Sequence, residues 1–412
     1  MSYFHNVFLM KTRYPLHLYL TGAVAARAGD EMSGPALMLA AFTVAGSATD
    51  ASSLLAGITI SAAVGGPVLG ALLDRAGRPG HLLAGALALY ATGLGLILVG
   101  LGRLPFAVTV LIAVCTGMLG PALSGGWTAQ LPRVVPGDGL PRANALDAMT
   151  FSAASLAGPA LAGGVAEGLG APTAVVVSAV LICLALPAAW TLPVRDTRGG
   201  RGRAPRPTSV FSDLAAGVRV IVRRPPLARA TLTSTVSCAA QGMLMACVAL
   251  LGERVLGGAG RGAMLLSCAA VSALAANAVL ARYPRSVGPD TIIWASAVVQ
   301  AAALALAASG RPTVLIGAAL LAGIAEGPQL AALFAVRHRE APEHLRGQIF
   351  TTGASLKITG FALGASVGGP LAIWSLPGGL ALAASVAGLA ALSSFAIRST
   401  TVNAPEERVA SR

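Results

Sequence analysis

The chain has 412 residues, is 55% hydrophobic and only 11% charged, and has a mean hydropathy of +0.75, whereas a soluble domain carries about a quarter charged residues. This excludes a soluble globular domain and points to an all-α membrane protein: its apolar runs reach about 20 residues, enough for helices to cross roughly 30 Å of hydrocarbon, and lack the alternation of barrel strands. The formal charge of +13 comes almost entirely from arginines scattered in short loops without interleaved aromatics, a topogenic pattern and not a nucleic-acid footprint.

The N-terminus, MSYFHNVFLMKTRYP, lacks the order of a cleavable signal, so it is expected to be retained. With Gly, Pro and charge as punctuation, the runs predict twelve spans: about 15 to 45, 51 to 73, 81 to 102, 105 to 131, 143 to 166, 171 to 193, 228 to 252, 261 to 281, 288 to 309, 311 to 336, 347 to 373 and 378 to 397. The loops on one side hold 23 of the 29 Lys and Arg, and the other side holds only Arg103, Arg254, Arg261 and Arg311. The positive-inside rule then puts both termini in the cytoplasm, and the expected location is the cell inner membrane. Cys115, Cys183, Cys238, Cys247 and Cys268 all lie inside spans without CxxC spacing, as small buried hydrophobes, so neither a metal site nor a disulfide framework is expected.

Charges inside spans carry the most information, because each costs roughly 2.5–3.5 kcal/mol near the midplane. Span 1 holds Arg27, Asp30 and Glu31, whose spacings of three and four put Arg27 on one face with either carboxylate. They form either an internally neutralised cluster or part of a water-filled cavity. Span 10 holds Glu326 and span 11 Lys357, which either pair with each other or face that cavity. Asp147, just inside span 5, is placed to favour a helix N-terminus. Gln130, Gln241, Asn277 and Gln300 either line the cavity or bond between helices.

Small residues form a second pattern. Gly66 and Gly70 lie four apart in span 2, span 5 contains GPALAGG (Gly158, Pro159, Gly163, Gly164), and Gly360, Gly364 and Gly368 repeat in span 11. Such surfaces let helix backbones approach. Between spans 6 and 7 lies the longest hydrophilic segment, Arg, Gly and Pro-rich at first and then amphipathic over Phe211 to Arg224, with Phe211, Leu214, Val218 and Ile221 near one face. It divides the chain into an N-terminal six-helix bundle (1–194), a cytoplasmic linker with an interfacial helix (195–227), a C-terminal six-helix bundle (228–400) and a tail (401–412). The segments around spans 4 to 5 and 10 to 11 share a basic turn, a Pro, another Arg and a helix ending in Gly and Pro, as expected of a repeated unit.

The turn after span 2, GALLDRAGRPG, supplies Gly70, Asp74, Arg75, Gly77 and Arg78 in the order GxxxDRxGRR and departs from it at Pro79 and Gly80. With the two-half layout, these residues make the chain resemble the major facilitator superfamily over essentially its whole length. The resemblance implies twelve transmembrane helices in two pseudo-symmetric bundles, no cofactor, and a monomer that moves a small-molecule substrate by alternating access in membrane lipid. It implies that Asp74 meets the positive end of the helix beginning near Gly347, latching the cytoplasmic side, at about 0.3–2 kcal/mol. Helices 2, 5, 8 and 11 would form the boundary between halves, lined by the glycines above. Helices 1, 4, 7 and 10 would line the cavity, with Asp30 and Glu31 as leading proton-exchanging groups and Glu326 as their counterpart. Proton antiport of a drug or natural product is the function implied first, and proton-linked uptake of a small metabolite is the alternative. A non-transporting membrane receptor or scaffold on the same fold is the alternative from a different class; it is expected to carry a sizeable extramembrane partner domain, whereas the longest loop here is under about 40 residues. The arginine-bearing RxxQG pattern of many drug antiporters is absent from span 4.

Enzymatic readings fail on mechanics. GASVG around Ser366 formally matches GxSxG but falls mid-helix in the glycine repeat, where no nucleophile elbow forms. Without GxxxxGK[ST], and with Lys11 and Lys357 as the only lysines, no intrinsic ATPase is expected, so either an ion gradient supplies the energy or the protein is a facilitator.

Overall fold

The computed structural model describes residues 14–45, 48–194, 210–258 and 261–396. The expected retained N-terminus, the Arg-rich first part of the linker and the 401–412 tail lie outside the described residues. Among the described residues the chain is helical, with twelve helical segments of membrane-spanning length and two shorter helices, Leu131–Val134 and Val210–Arg223.

Eleven of the twelve are long and apolar enough to cross a membrane: Ser53–Arg75, Pro79–Gly100, Phe106–Gly126, Gly137–Leu169, Ala171–Trp190, Pro225–Leu256, Gly262–Arg282, Pro289–Ala307, Pro312–Glu340, Glu343–Trp374 and Leu376–Ser393. Span 1, the helix Leu16–Ala45, has 30 residues but is less apolar because Arg27, Asp30 and Glu31 interrupt it. Their companions inside the bundle, described below, make that tolerable. Prolines open spans 3, 7, 9 and 10 at the first turn, where no backbone N–H is needed. Gly257 closes span 7 in the left-handed region at φ 79°. Span 4 breaks step after Gly117, passing through a π-helical turn at Ala122–Gly126 before a short helix at Leu131–Val134.

Spans 1 to 6 share one large core built around Tyr19, Tyr90, Trp127 and leucines of spans 1 to 4. Spans 7 to 12 are held by several smaller clusters. The two halves meet at the end of the bundle that carries the Arg-rich loops, here called the basic end. There Ala129, Ala145, Ala148 and Phe151 of the first half pack against Ala281, Ala331, Phe334 and Phe350 of the second. Phe151 and Phe334 have ring centroids 5.7 Å apart, and Phe334 and Phe350 6.0 Å.

The glycines divide by role. A Cβ at Gly66 or Gly70 would run into Thr351, Ser355 or Gln348 of span 11, so these two bring spans 2 and 11 together across the halves. The repeat Gly360, Gly364 and Gly368 instead abuts Thr235, Ala239 and Met243 of span 7, within one half. The expectation that these three line the boundary between halves is therefore corrected. The register of span 11 turns their face toward span 7, while its first turns face span 2. Gly158 lies against Glu31 in span 1, and Gly163 and Gly164 have open space beside them.

The linker helix Val210–Arg223 lies against the basic end. Its buried stripe is Gly217 and Ile221, flanked by Leu214, Ala216 and Val220, while Val218 is exposed. The apolar face read from the sequence is thus rotated: Gly217 leaves room for the Gln348 side chain, and Ile221 joins Leu345 and Ile349. The side chain of Phe211 lies outside the description.

The glycine division makes a stability prediction. Gly364→Ala places a methyl group on the Ala239 carbonyl and costs about 1–3 kcal/mol, lowering the unfolding temperature in detergent. Gly163→Ala meets nothing and gains up to about 1 kcal/mol from reduced chain freedom.

Candidate functional site

Span 1 passes 15 residues from Leu16 to Glu31, about 22 Å at 1.5 Å per residue, so its three charges reach the middle of the bundle. Arg27 turns away from Asp30 and Glu31. Its side chain is 2% exposed and meets Asp147, whose side chain is fully buried, with Nη1 donating to Oδ1 at 2.9 Å and Nη2 to Oδ2 at 3.3 Å. Nη1 also donates to the Asp147 carbonyl at 3.0 Å and to Thr150 Oγ1, and Nη2 to Thr128 Oγ1 at 2.9 Å. Thr128 in turn donates to Asp147 Oδ2 at 2.8 Å. The Phe151 ring lies 3.7 Å from the guanidinium carbon. Spans 1, 4 and 5 are thereby joined by a buried, multiply hydrogen-bonded ion pair.

This corrects two sequence expectations. Arg27 is not neutralised within its own helix, because its i+3 and i+4 neighbours point elsewhere. Asp147 is more than a helix-terminal charge, because it lies seven residues inside its helix, about 10 Å deep, facing span 1. Two threonines and a phenylalanine complete the site, and their types give no signal in an apolar sequence.

Asp30 accepts a hydrogen bond from the Tyr90 hydroxyl of span 3 at 2.8 Å, and Ser33 donates to the Asp30 carbonyl at 2.7 Å. Glu31 accepts from Ser155 of span 5 at 3.3 Å and is exposed despite its mid-bundle depth. Glu326 is likewise exposed, 14 residues from the basic end of its helix, about 21 Å. Glu31 and Glu326 come from opposite halves and lie within electrostatic reach of one another, as Glu326 does of Lys357. Glu326 and Lys357 do not form the mutual ion pair that was one sequence reading. The structure thus brings Asp30, Glu31 and Glu326 to one level, with Lys357 near Glu326, and sets Arg27 apart. Their exposure above the alanine and phenylalanine seal marks a cleft between the halves, closed at the basic end.

That closure is tied by the GALLDRAGRPG turn. The Asp74 carboxylate accepts the backbone N–H of Gly347 at 2.8 Å through Oδ1 and that of Gln348 at 2.8 Å through Oδ2. These are first-turn donors of span 11 with no partner inside their own helix, so a carboxylate there is favoured by both hydrogen bonding and the helix dipole. Deeper in, Ser355 of span 11 donates to the Ala62 carbonyl of span 2 at 2.6 Å. Arg285 meets Asp138 across the halves at 2.5 Å on the surface. Gln348 also donates through Nε2 to the Leu214 carbonyl of the linker helix at 3.0 Å. Gly77 and Arg78 are exposed in the turn, and Arg75 ends the helix beside them.

Comparison with known proteins fits this arrangement. The family model described as Major Facilitator Superfamily matches residues 19–289, more than half of the chain. An MFS-type transporter of Sinorhizobium fredii, y4rN, is 29% identical over 357 residues, covering 84% of this chain and 87% of its own. Among solved structures, the human organic anion transporter MFSD10 aligns with a TM-score of 0.76 at 17% identity, covering 94% of this chain and 99% of that one. A bacterial homologue of the iron transporter ferroportin in an outward-facing state gives 0.75 at 16%, covering 92% and 98%. The Escherichia coli fucose:proton symporter FucP gives 0.72 at 14%, covering 93% and 98%. At these identities the likeness is one of fold.

The pairing predicts an asymmetry among acidic substitutions. Asp147→Asn strands the Arg27 charge and destabilises by about 3–5 kcal/mol, whereas Arg27→Met with Asp147→Leu recovers most of that loss. Asp30→Asn and Glu31→Gln each keep an amide oxygen that accepts the same hydroxyl and lose only its charge assistance, about 1 kcal/mol or less. Thermal unfolding of the purified variants in one detergent orders the set.

Proposed function

This chain belongs to the Major Facilitator Superfamily and is a secondary transporter of small molecules, and from that premise we propose that it exports a drug-like or natural-product molecule in exchange for protons. The observation that carries the reading is the pair Glu31 and Glu326, exposed at mid-bundle on opposite halves while the span's own cation, Arg27, is consumed by Asp147. A carboxylate in such a cleft gains a proton from the open side and yields it when the cleft opens to the other, because each opening changes its access to water and to neighbouring charge. Asp30, held by Tyr90, is the third member, and Lys357 supplies the positive charge that biases Glu326.

In this reading the two halves, 1–194 and 228–400, rock as bodies, with the basic end facing the cytoplasm of the cell that bears the protein in its inner membrane. The closed basic end and open cleft then describe the outward-facing state, latched by Asp74 on span 11. The monomer suffices, since the cleft is complete within one chain.

The deciding experiment uses proteoliposomes with an imposed pH gradient and a panel of hydrophobic cations, antibiotics and sugars. Gradient-driven accumulation is expected for at least one compound, with Glu31→Gln and Glu326→Gln losing accumulation while retaining exchange of labelled for unlabelled substrate. Full accumulation in both variants and in Asp30→Asn rejects the coupling. Separately, Asp74→Asn is expected to slow turnover several-fold with substrate affinity preserved, and unchanged turnover rejects the latch.

A further inference from the structure

Near the basic end of span 10, Arg337 stands in contrast to Arg27. Its side chain is 2% exposed and among the largest fully buried side chains. Yet among the described residues it makes no hydrogen bond and no ion pair, and its Nε and Nη2 are both buried without a partner. The guanidinium lies 5.7 Å from the Phe350 ring centroid, and Nη2 lies against Gly353, where any side chain would displace it. The adjacent His338 is 6% exposed, with both ring nitrogens unpartnered and its ring 4.5 Å from that of Phe350. Arg346 lies within electrostatic reach of His338. Available acids are committed elsewhere: Glu340, three residues on, accepts from Arg339 at 2.8 Å, as Asp290 does at 2.9 Å. Glu326 is eleven residues away along the helix, about 16 Å.

A planar fork of donors with a buried, unanswered charge calls for a planar or tetrahedral oxyanion that offers two acceptors. Phe350 covers this group, and Phe350 is itself part of the seal between the halves. Separation of the halves at the basic end would therefore uncover Arg337 first among buried cations. We propose that Arg337, backed by His338 and made room for by Gly353, is an oxyanion-binding site that fills when the basic end opens and empties before it reseals. The ligand class is a carboxylate, phosphate or sulfate group, either on the transported molecule or on a free anion. The proposal rests on the transporter reading only for the opening of that end, not for protons or direction.

The test is binding without any gradient. Purified protein in nanodiscs, wild type and Asp74→Asn, is titrated calorimetrically with benzoate and, separately, with inorganic phosphate, each against chloride at equal ionic strength. Binding is expected for one of them, tighter in Asp74→Asn, lost in Arg337→Met and weakened about tenfold in Arg337→Lys, which keeps the charge but not the fork. Benzoate alone binding assigns the site to the acid group of a transported molecule, and phosphate alone assigns it to a phosphate-bearing anion. Thermal unfolding supplies the second readout. A guanidinium with no partner is a burden in the ligand-free protein, so Arg337→Met should raise the unfolding temperature by several degrees. Lowered stability in Arg337→Met, or titrations unaffected by it, overturns the proposal. Because no gradient is applied, loss of proton coupling in the liposome assay leaves this result untouched, and the reverse also holds.

Discussion

A charge carried into a lipid-embedded bundle must be matched by an opposite charge, reached by water, or left as a standing cost. The chain meets this constraint in different ways at different depths. Arg27 and Asp147 match each other so completely, with two threonines and an aromatic face, that they act as a rivet through spans 1, 4 and 5. Asp30, Glu31, Glu326 and Lys357 instead sit at the wall of a cleft, partly or fully exposed. Arg337 is buried and unanswered. Fixed parts and responsive parts of the molecule are thereby separated by how their charges are neutralised, not by which residue types they use.

The contact between halves follows a related logic. Asp74 answers two backbone N–H groups that any helix leaves over, an interaction of about 0.3–2 kcal/mol at a partly exposed site. It is weak beside a buried ion pair, and it joins surfaces built largely of alanine, glycine and phenylalanine, with the Ser355–Ala62 hydrogen bond and the Arg285–Asp138 pair as further polar ties. A seam of that kind closes by shape and holds by a few donors, so it can part without unfolding either half. Gln348 extends the tie to the linker helix by giving its backbone N–H to Asp74 and its side-chain N–H to Leu214.

Much of this was legible in the sequence, and the losses are instructive. The spans and the six-plus-six order follow from apolar length and charge placement, which are local signals, whereas the Asp74 contact at Gly347 is reached only through the family resemblance that the turn motif carries. Neither sequence reading of Arg27, a cluster within its own helix or a cavity charge, names Asp147, because helical spacing reports which residues share a face but not which face turns inward. Asp147 is 120 residues away, and only packing of spans 1 and 5 brings it near. The span 11 glycines were assigned to the wrong neighbour for the same reason: a four-residue repeat specifies a smooth surface, not the helix that lies on it. Arg337 drew no attention because it stands in an RHRE run that reads as one more basic loop, and its burial is visible only in three dimensions.

The smooth face of span 11 has a mechanical outcome. With Gly360, Gly364 and Gly368 pressed to the backbone of span 7, those two helices are splinted into a stiff beam. Span 11 runs from Arg346 to Trp374, 29 residues, or about 43 Å. Asp74 grips this beam at one tip, so in the proposed cycle a shift of an ångström or two where it lets go is carried along the beam to the far mouth of the cleft.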